Sequence, residues 1–163
     1  MVRPPAVRDS APMHNLRVRA ATPADAATIA AFNLAMARET EDKGLDEAAL
    51  ARGVERALAD PVRGRYRVAE RDGAIVGCLL VTREWSDWRD AWFWWIQSVY
   101  VAPSARRSGV YAALHDDVVR EARAAGDVCG VRLYVETENR SAQLTYERMG
   151  MQRAHYHMYE QLL

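Results

Sequence analysis

The chain has 163 residues, of which half are hydrophobic and 27% are charged, as expected for one folded domain with a buried core. Its 22 basic and 22 acidic side chains balance, which argues against nucleic acid or a membrane surface as a partner. No apolar run reaches the ~18 residues of a membrane span. We therefore expect a cytoplasmic protein.

The ends and the cysteines add two expectations. Residues 1–14 contain three prolines and no apolar signal segment, so they are interpreted as a flexible N-terminal arm before a single domain over residues 15–163. The two cysteines, Cys78 and Cys129, lie far apart and lack metal-site spacing. We interpret both as buried thiols in a reducing compartment, and predict no metal site.

The secondary-structure signals are strongest at turns and caps. Thr22-Pro23 predicts a helix start, Asp72-Gly73 predicts a hairpin turn, and Gly126 predicts a helix end. The predicted elements, in chain order, are a strand 16–19, helices 22–37 and 47–58, strands 66–70, 75–81 and 92–101, a helix 108–125, a strand 131–135, a helix 141–149, and one or two strands within 151–162.

A cluster of five tryptophans spans the predicted loop 83–91 and the strand that follows it. Because side chains alternate along a strand, Trp92 and Trp94 are expected on one face and Trp95 on the other. Trp85 and Trp88 are placed in the loop, where they could line a substrate site or form a homodimer contact. The order of strands and helices predicts an α/β (α+β) fold, with a mixed sheet and helices packed against it.

The stretch VYVAPSARRSGVYAALH, residues 99–115, joins a strand to a helix through a tight turn. Unpaired backbone N–H groups and the positive end of the helix dipole both favour an anion there. Gly109 allows close approach of a ligand to the backbone, and Arg106 and Arg107 add positive charge. This stretch therefore predicts a phosphate site, although a charged surface turn would look similar.

A second stretch, LYVETENRSAQLTYERMGM, contains the spacing N-x-x-A-x-x-x-Y at Asn139, Ala142 and Tyr146. On a helix, Ala142 and Tyr146 share one face, so a small residue leaves space beside a phenol. Taken alone, the pattern also fits an N-cap asparagine followed by a half-buried tyrosine.

Together, in this order and about thirty residues apart, the two stretches resemble the GCN5-related N-acetyltransferase (GNAT) family, and the resemblance extends from about Leu16 to Leu162. It implies a mixed, mostly antiparallel sheet flanked by helices. It also implies direct transfer of an acetyl group from acetyl-CoA to a primary amine of a small molecule or peptide. A non-catalytic acyl-CoA-binding or regulatory domain is the alternative.

The resemblance also assigns roles by position. Tyr146 is the expected general acid, because a phenol with an ordinary pKa of ~10 still holds its proton at neutral pH. Tyr111 stands where the family has glycine or alanine. The residues expected to bind the cofactor are Val99, Val101, Arg106, Arg107, Ser108, Gly109, Val110, Tyr111, Asn139 and Ala142.

The general base and the acceptor site stay open. Some family members place a glutamate where this chain has Trp95. Glu84, Asp87 and Asp90 in the predicted loop, or Glu41 after the first helix, could act through water. Three histidines have a suitable pKa range, namely His115, His155 and His157. The residues expected near the acceptor are Glu41, Trp85, Trp88 and Trp95.

Overall fold

The computed structural model describes residues 15–40 and 44–163, so the predicted arm lies outside the described residues. One compact unit extends to Arg132 and a second comprises Leu133–Leu163. The elements are β1 (Leu16–Ala20), α1 (Ala26–Thr40), α2 (Glu47–Ala59), β2 (Arg65–Arg71), β3 (Ala74–Ser86), β4 (Ala91–Val101), α3 (Val110–Ala125), β5 (Val128–Leu133, its last residue in the second unit) and α4 (Arg140–Arg148).

The five strands form one sheet in the order β1-β2-β3-β4-β5. The first four strands pair antiparallel, which confirms the predicted mostly antiparallel sheet. The turn between β2 and β3 places Asp72 and Gly73 at φ 51° and 80°. Two left-handed residues at the centre of a two-residue turn match the twist of a hairpin, so the predicted hairpin is confirmed.

The core lies on both faces of the sheet. On one face, Val68 and Cys78 pack against Ile29 of α1 and Val54 of α2. On the other face α3 approaches closely, because a Cβ on Gly77 would lie 2.9 Å from Val110 Cγ1. Burial of these apolar side chains is the main stabilising contribution. Of the described residues, none belongs to a helix with the length and hydrophobicity to cross a membrane.

The predicted loop over 83–91 is wrong for most of its length. Strand β3 continues to Ser86, and its register pairs Trp85 with Trp92 and Ser86 with Ala91. The rings of Trp85 and Trp92 meet edge to face, with centroids 4.9 Å apart. Cross-strand aromatic pairs stabilise a sheet, so a polar segment that looks like a loop becomes a strand. Only residues 87–90 form the turn.

Three other predictions need correction. No strand occurs within 151–163, where almost all side chains are exposed; alternation in sequence cannot supply the pairing partner that a strand requires. Strand β5 begins three residues earlier than predicted, beside β4, where Trp92 N–H donates to the Asp127 carbonyl at 2.8 Å. Cys78 is buried, but Cys129 is exposed and its thiol donates to the Trp92 carbonyl at 3.3 Å.

Candidate functional site

Strand β4 reaches the candidate phosphate loop through a bulge. Cys78 pairs with Tyr100 but Leu80 pairs with Gln97, so β4 carries one residue more than β3 between these pairs. Ser98, in the extra stretch, has φ 49°. A bulge bends a strand and disrupts its ladder. It thereby sets the direction of residues 99–101, the backbone predicted to lie beside the cofactor's pantetheine arm.

The loop itself has the backbone of an anion site. Arg107 and Gly109 are both left-handed, at φ 60° and 81°, and α3 begins at the next residue, Val110. The first helical bond runs from Ala113 N–H to the Gly109 carbonyl, at 3.0 Å. The N–H groups that precede it therefore have no acceptor within the helix. They lie at the positive end of a 16-residue helix, where the geometry fits a phosphate group.

Two arginines hold this loop in place. Arg71 Nη2, at the end of β2, donates to Ser108 Oγ at 3.0 Å, and Ser108 Oγ donates to the Ala105 carbonyl at 2.6 Å. Arg106 Nε donates to the Val101 carbonyl at 2.9 Å. The Ser108 side chain therefore shapes the turn. No sequence signal marks Arg71, because it contacts the loop across 37 residues of chain.

Arg106 also forms an ion pair with a residue of α1. Its Nη2 donates to Glu39 Oε2 at 2.6 Å, and Tyr100 Oη donates to Glu39 Oε1 at 3.0 Å. The Arg106 guanidinium, followed by the Tyr100 hydroxyl, keeps the pKa of the exposed Glu39 carboxyl below its usual range, against a smaller opposing effect of partial desolvation. A phosphate that binds the Arg106 guanidinium must therefore displace Glu39 from it. The predicted helix end at Ala37 left Glu39 outside α1.

Tyr111 is packed along α3. Its ring is half-buried and its centroid lies 6.0 Å from that of His115, about one turn further along the helix. His115 is only 5% exposed, and burial lowers its pKa. The bulky ring thus contacts another ring of the helix, which explains how a large residue fits at this position of the turn.

The second unit carries the other motif. Asn139 is the N-cap of α4, and its Oδ1 accepts from Ala142 N–H at 3.1 Å. Tyr146 lies four residues after Ala142, on the same helix face. It is half-buried, and burial raises the pKa of its phenol. Gly150 follows the helix with φ 85°. The predicted cap, helix and C-terminal glycine are therefore all present.

Of the residues predicted near the acceptor, the three tryptophans that the structure describes are not brought to one place. Glu41 lies outside the described residues, and Trp88 is 87% exposed in the turn after β3. Trp85 is on strand β3, opposite Trp92, whereas Trp95 is opposite Thr82. Because side chains alternate, Trp85 and Trp95 lie on different faces of the sheet.

The carboxylates predicted as bases that the structure describes lie on β3 and in the turn after it, and two of the predicted histidines lie in the second unit. Glu84 lies on β3 rather than in a loop, and its Oε2 accepts a hydrogen bond from Trp95 Nε1 at 2.5 Å. Asp87 accepts from the backbone N–H of Trp88 within the turn, and Asp90 has φ 47° there. His155 and His157 are exposed in the second unit. Among the described residues, no three His, Cys, Asp or Glu side chains cluster as a metal site would require.

Comparison with known proteins agrees with this geometry. Residues 29–151 match the acetyltransferase (GNAT) family. A possible acetyltransferase from Clostridium difficile 630 is 40% identical, with a TM-score of 0.85; the alignment covers 92% of this chain and 99% of that one. Among curated proteins, no significant match is found.

Two further solved structures share the fold at lower identity. A GCN5-related N-acetyltransferase from Ralstonia eutropha JMP134 is 23% identical with a TM-score of 0.75, over 91% of this chain and 99% of that one. A predicted acetyltransferase from Clostridium acetobutylicum, solved with acetyl-CoA, is 17% identical with a TM-score of 0.72, over 90% and 96%.

Proposed function

Because the chain belongs to the GNAT acetyltransferase family, we propose that it is an acetyl-CoA-dependent N-acetyltransferase with a primary amine as acceptor. The observation that carries the proposal is the start of α3. Two left-handed residues, Arg107 and Gly109, turn the chain directly into a 16-residue helix. That backbone fits a pyrophosphate through N–H donors and the helix dipole.

Several groups of the chain would hold the cofactor. The backbone N–H groups of residues 107–110 would donate to the phosphates, and Arg106 would add a charged contact after leaving Glu39. The backbone of Val99 and Val101 would lie along the pantetheine arm. The Asn139 side chain caps α4 through its Oδ1, so its NH₂ group would be the donor to pantetheine.

Tyr146 is proposed as the general acid. When bound, acetyl-CoA supplies a thioester whose C–S bond breaks as a C–N bond to the acceptor forms, so that sulfur leaves with the electron pair. The acceptor nitrogen loses one proton and the sulfur gains one. Burial raises the pKa of Tyr146 above its ordinary value of 10.0, so Oη keeps its proton at neutral pH and can donate it.

The acceptor must be neutral to attack. With an ordinary pKa of ~10.4, about one amine in 2,500 is neutral at pH 7. If deprotonation occurs before binding, kcat/KM rises about tenfold per pH unit up to the pKa of the amine. A plateau near neutral pH would instead assign the proton to a base of the protein.

The proposed function is tested by calorimetry with acetyl-CoA and by thiol release with a panel of primary amines. Tyr146→Phe should lower kcat roughly 10²–10⁴-fold and leave the acetyl-CoA Kd unchanged. Tyr159→Phe is the matched control, because Tyr159 is also in the second unit but is 93% exposed; its kcat should not change.

Three outcomes would contradict parts of this proposal. Absence of acetyl-CoA binding at millimolar concentration would remove the cofactor assignment. An unchanged kcat in Tyr146→Phe would remove Tyr146 from proton transfer. Binding of acetyl-CoA without release of thiol in the presence of any amine would favour the alternative, a non-catalytic acyl-CoA-binding domain. The observation that supports this alternative is the tryptophan at position 95 in place of a carboxylate.

A further inference from the structure

Three neighbouring strands bring a carboxylate, two aromatic rings and a guanidinium together. Arg132 on β5 places Nη1 3.0 Å from Glu84 Oε1 on β3, and its guanidinium carbon lies 3.5 Å from the ring centroid of Phe93 on β4. The same carbon lies 5.8 Å from the Trp95 ring, and Trp95 Nε1 donates to Glu84 Oε2 at 2.5 Å. We call Glu84, Phe93 and Trp95 the aromatic–carboxylate site.

The chemistry of this site is that of a cation receptor. A ring face attracts a cation through its quadrupole, and a carboxylate adds a charge-assisted hydrogen bond. The Trp95 N–H orients the Glu84 carboxylate and leaves its other oxygen for the cation. The guanidinium of Arg132 already makes both kinds of contact, so the site is suited to a cationic ligand.

The carboxylate side of the site is accessible, whereas the Phe93 ring is 9% exposed and has the guanidinium carbons of Arg132 and Arg89 3.5 and 5.2 Å from its centroid. Along β3, Cys78, Leu80, Thr82 and Glu84 share one face, and Cys78 is packed against helices α1 and α2. Further along the strand this covering ends, because the Glu84 side chain is 45% exposed and that of Arg132 is 34% exposed. An exposed ion pair of this kind contributes little to stability, so the cost of displacing Arg132 is mainly the loss of its contact with the Phe93 ring, which the cation of the ligand replaces.

We infer that the aromatic–carboxylate site binds a positively charged group of the acceptor, with Arg132 as its internal competitor; this inference rests on the proposed function. The group that is bound there cannot be the amine that reacts, because the reacting nitrogen must be neutral. The acceptor class is therefore a primary amine that carries a second cation, a guanidinium or an ammonium, elsewhere in the molecule.

The first test measures binding without acetyl-CoA, so it is independent of the proposed activity. Agmatine, which has a primary amine and a guanidinium, is titrated calorimetrically into the wild-type chain and Arg132→Ala at low ionic strength. Removal of the competitor should tighten agmatine binding roughly tenfold. 1-Pentanol, which has a similar carbon chain but no cationic group, should bind neither protein measurably.

The second test removes the carboxylate. Glu84→Gln in the Arg132→Ala background should abolish the gain in agmatine affinity. Glu55→Gln in the same background is the matched control, since it makes the same charge change on an exposed position of α2 and should retain the gain. Thermal unfolding checks that each variant is folded, and Arg132→Gln replaces Arg132→Ala if the alanine variant is not.

The outcomes separate the two proposals. Equal agmatine affinity in the wild-type chain and Arg132→Ala, or a gain that survives Glu84→Gln, would overturn the cation site. If agmatine binds as expected but neither agmatine nor any other amine of the panel is acetylated, the site stands and the proposed function fails. If agmatine is acetylated, Glu84→Gln should raise its KM about tenfold and leave kcat unchanged, whereas a fall in kcat alone would contradict a recognition role.

Discussion

Helix α3 has a left-handed glycine at each end, which allows a matched pair of substitutions. Gly109 precedes the helix with φ 81° and Gly126 follows it with φ 76°. Only Gly109 lies in the candidate phosphate loop. Gly109→Ala and Gly126→Ala therefore impose the same backbone strain at opposite ends of one element, and only the first should affect a bound anion.

The expected loss of stability is similar for both variants. An L residue in the left-handed region costs about 1–2 kcal/mol, and the lower chain entropy of unfolded alanine offsets about 0.4–1 kcal/mol of it. A net loss near 1 kcal/mol corresponds to a fall in Tm of roughly 2–4 °C for a chain of this length. Around Gly126, an added Cβ would meet no atom within 4 Å, so strain is the only expected cost there.

Cofactor affinity should differ between them. If Gly109→Ala turns even one backbone N–H away from the pyrophosphate, it removes a hydrogen bond to a charged group, worth about 1.5–3 kcal/mol. At 1.4 kcal/mol per factor of ten, the Kd for coenzyme A should rise at least about tenfold. Calorimetry gives the Kd, and thermal unfolding gives the stability. Equal coenzyme A affinity in the two alanine variants would refute the assignment of this loop.

Three further predictions concern single residues. Glu39→Gln should tighten coenzyme A binding a few-fold at low salt, because Arg106 no longer has a competing carboxylate; calorimetry showing equal or weaker binding would contradict this. The side-chain hydrogen bond from Arg19 lowers the pKa of Asp25 from 3.8 to about 2. A lowered pKa stabilises the folded state above pH 3.8, and this contribution is lost as the pH falls through about 2. Urea unfolding should therefore show a loss of about 2 kcal/mol between pH 5 and pH 2 that is absent in Asp25→Asn. A thiol reagent should modify Cys129 at once but Cys78 only on unfolding, because burial raises the Cys78 pKa to about 12; rapid modification of both thiols would be inconsistent with the core.

The features that the sequence predicts well are those set by local chemistry. The Asp72-Gly73 turn, the cap of α4 by Asn139 and the glycine end of α3 at Gly126 each depend on a few neighbouring residues. The loop 106–110 belongs to this group, because a left-handed glycine before a helix is a short-range signal. These features place the candidate phosphate site before any tertiary contact is known.

The features that the sequence does not predict depend on distant partners. Strand β3 extends to Ser86 because Trp85 meets Trp92 on the neighbouring strand. The bulge at Ser98 appears only when the registers of two strands are compared. Glu39 and Arg106 are 67 residues apart in the chain, and no local pattern marks such a pair. For the same reason the contact of Arg132 on β5 with the aromatic–carboxylate site on β3 and β4 cannot be predicted from the sequence.

Both candidate sites share one physical property, which is that their arginines are paired with carboxylates before any ligand is present. Arg106 contacts Glu39 and Arg132 contacts Glu84. Added salt weakens the contact of an exposed arginine with its ligand, which lowers the affinity. It also weakens the contact of the same arginine with the internal carboxylate, which makes the arginine easier to release. These two effects of salt on the affinity partly cancel. Coenzyme A affinity in the wild-type chain should therefore fall less steeply with salt than in Glu39→Gln, where the phosphate alone uses Arg106. Calorimetry at several salt concentrations measures both slopes. Equal slopes in the two proteins would mean that Arg106 makes no contact with the phosphate even when Glu39 no longer competes, and that the backbone of the loop is the whole of the phosphate site.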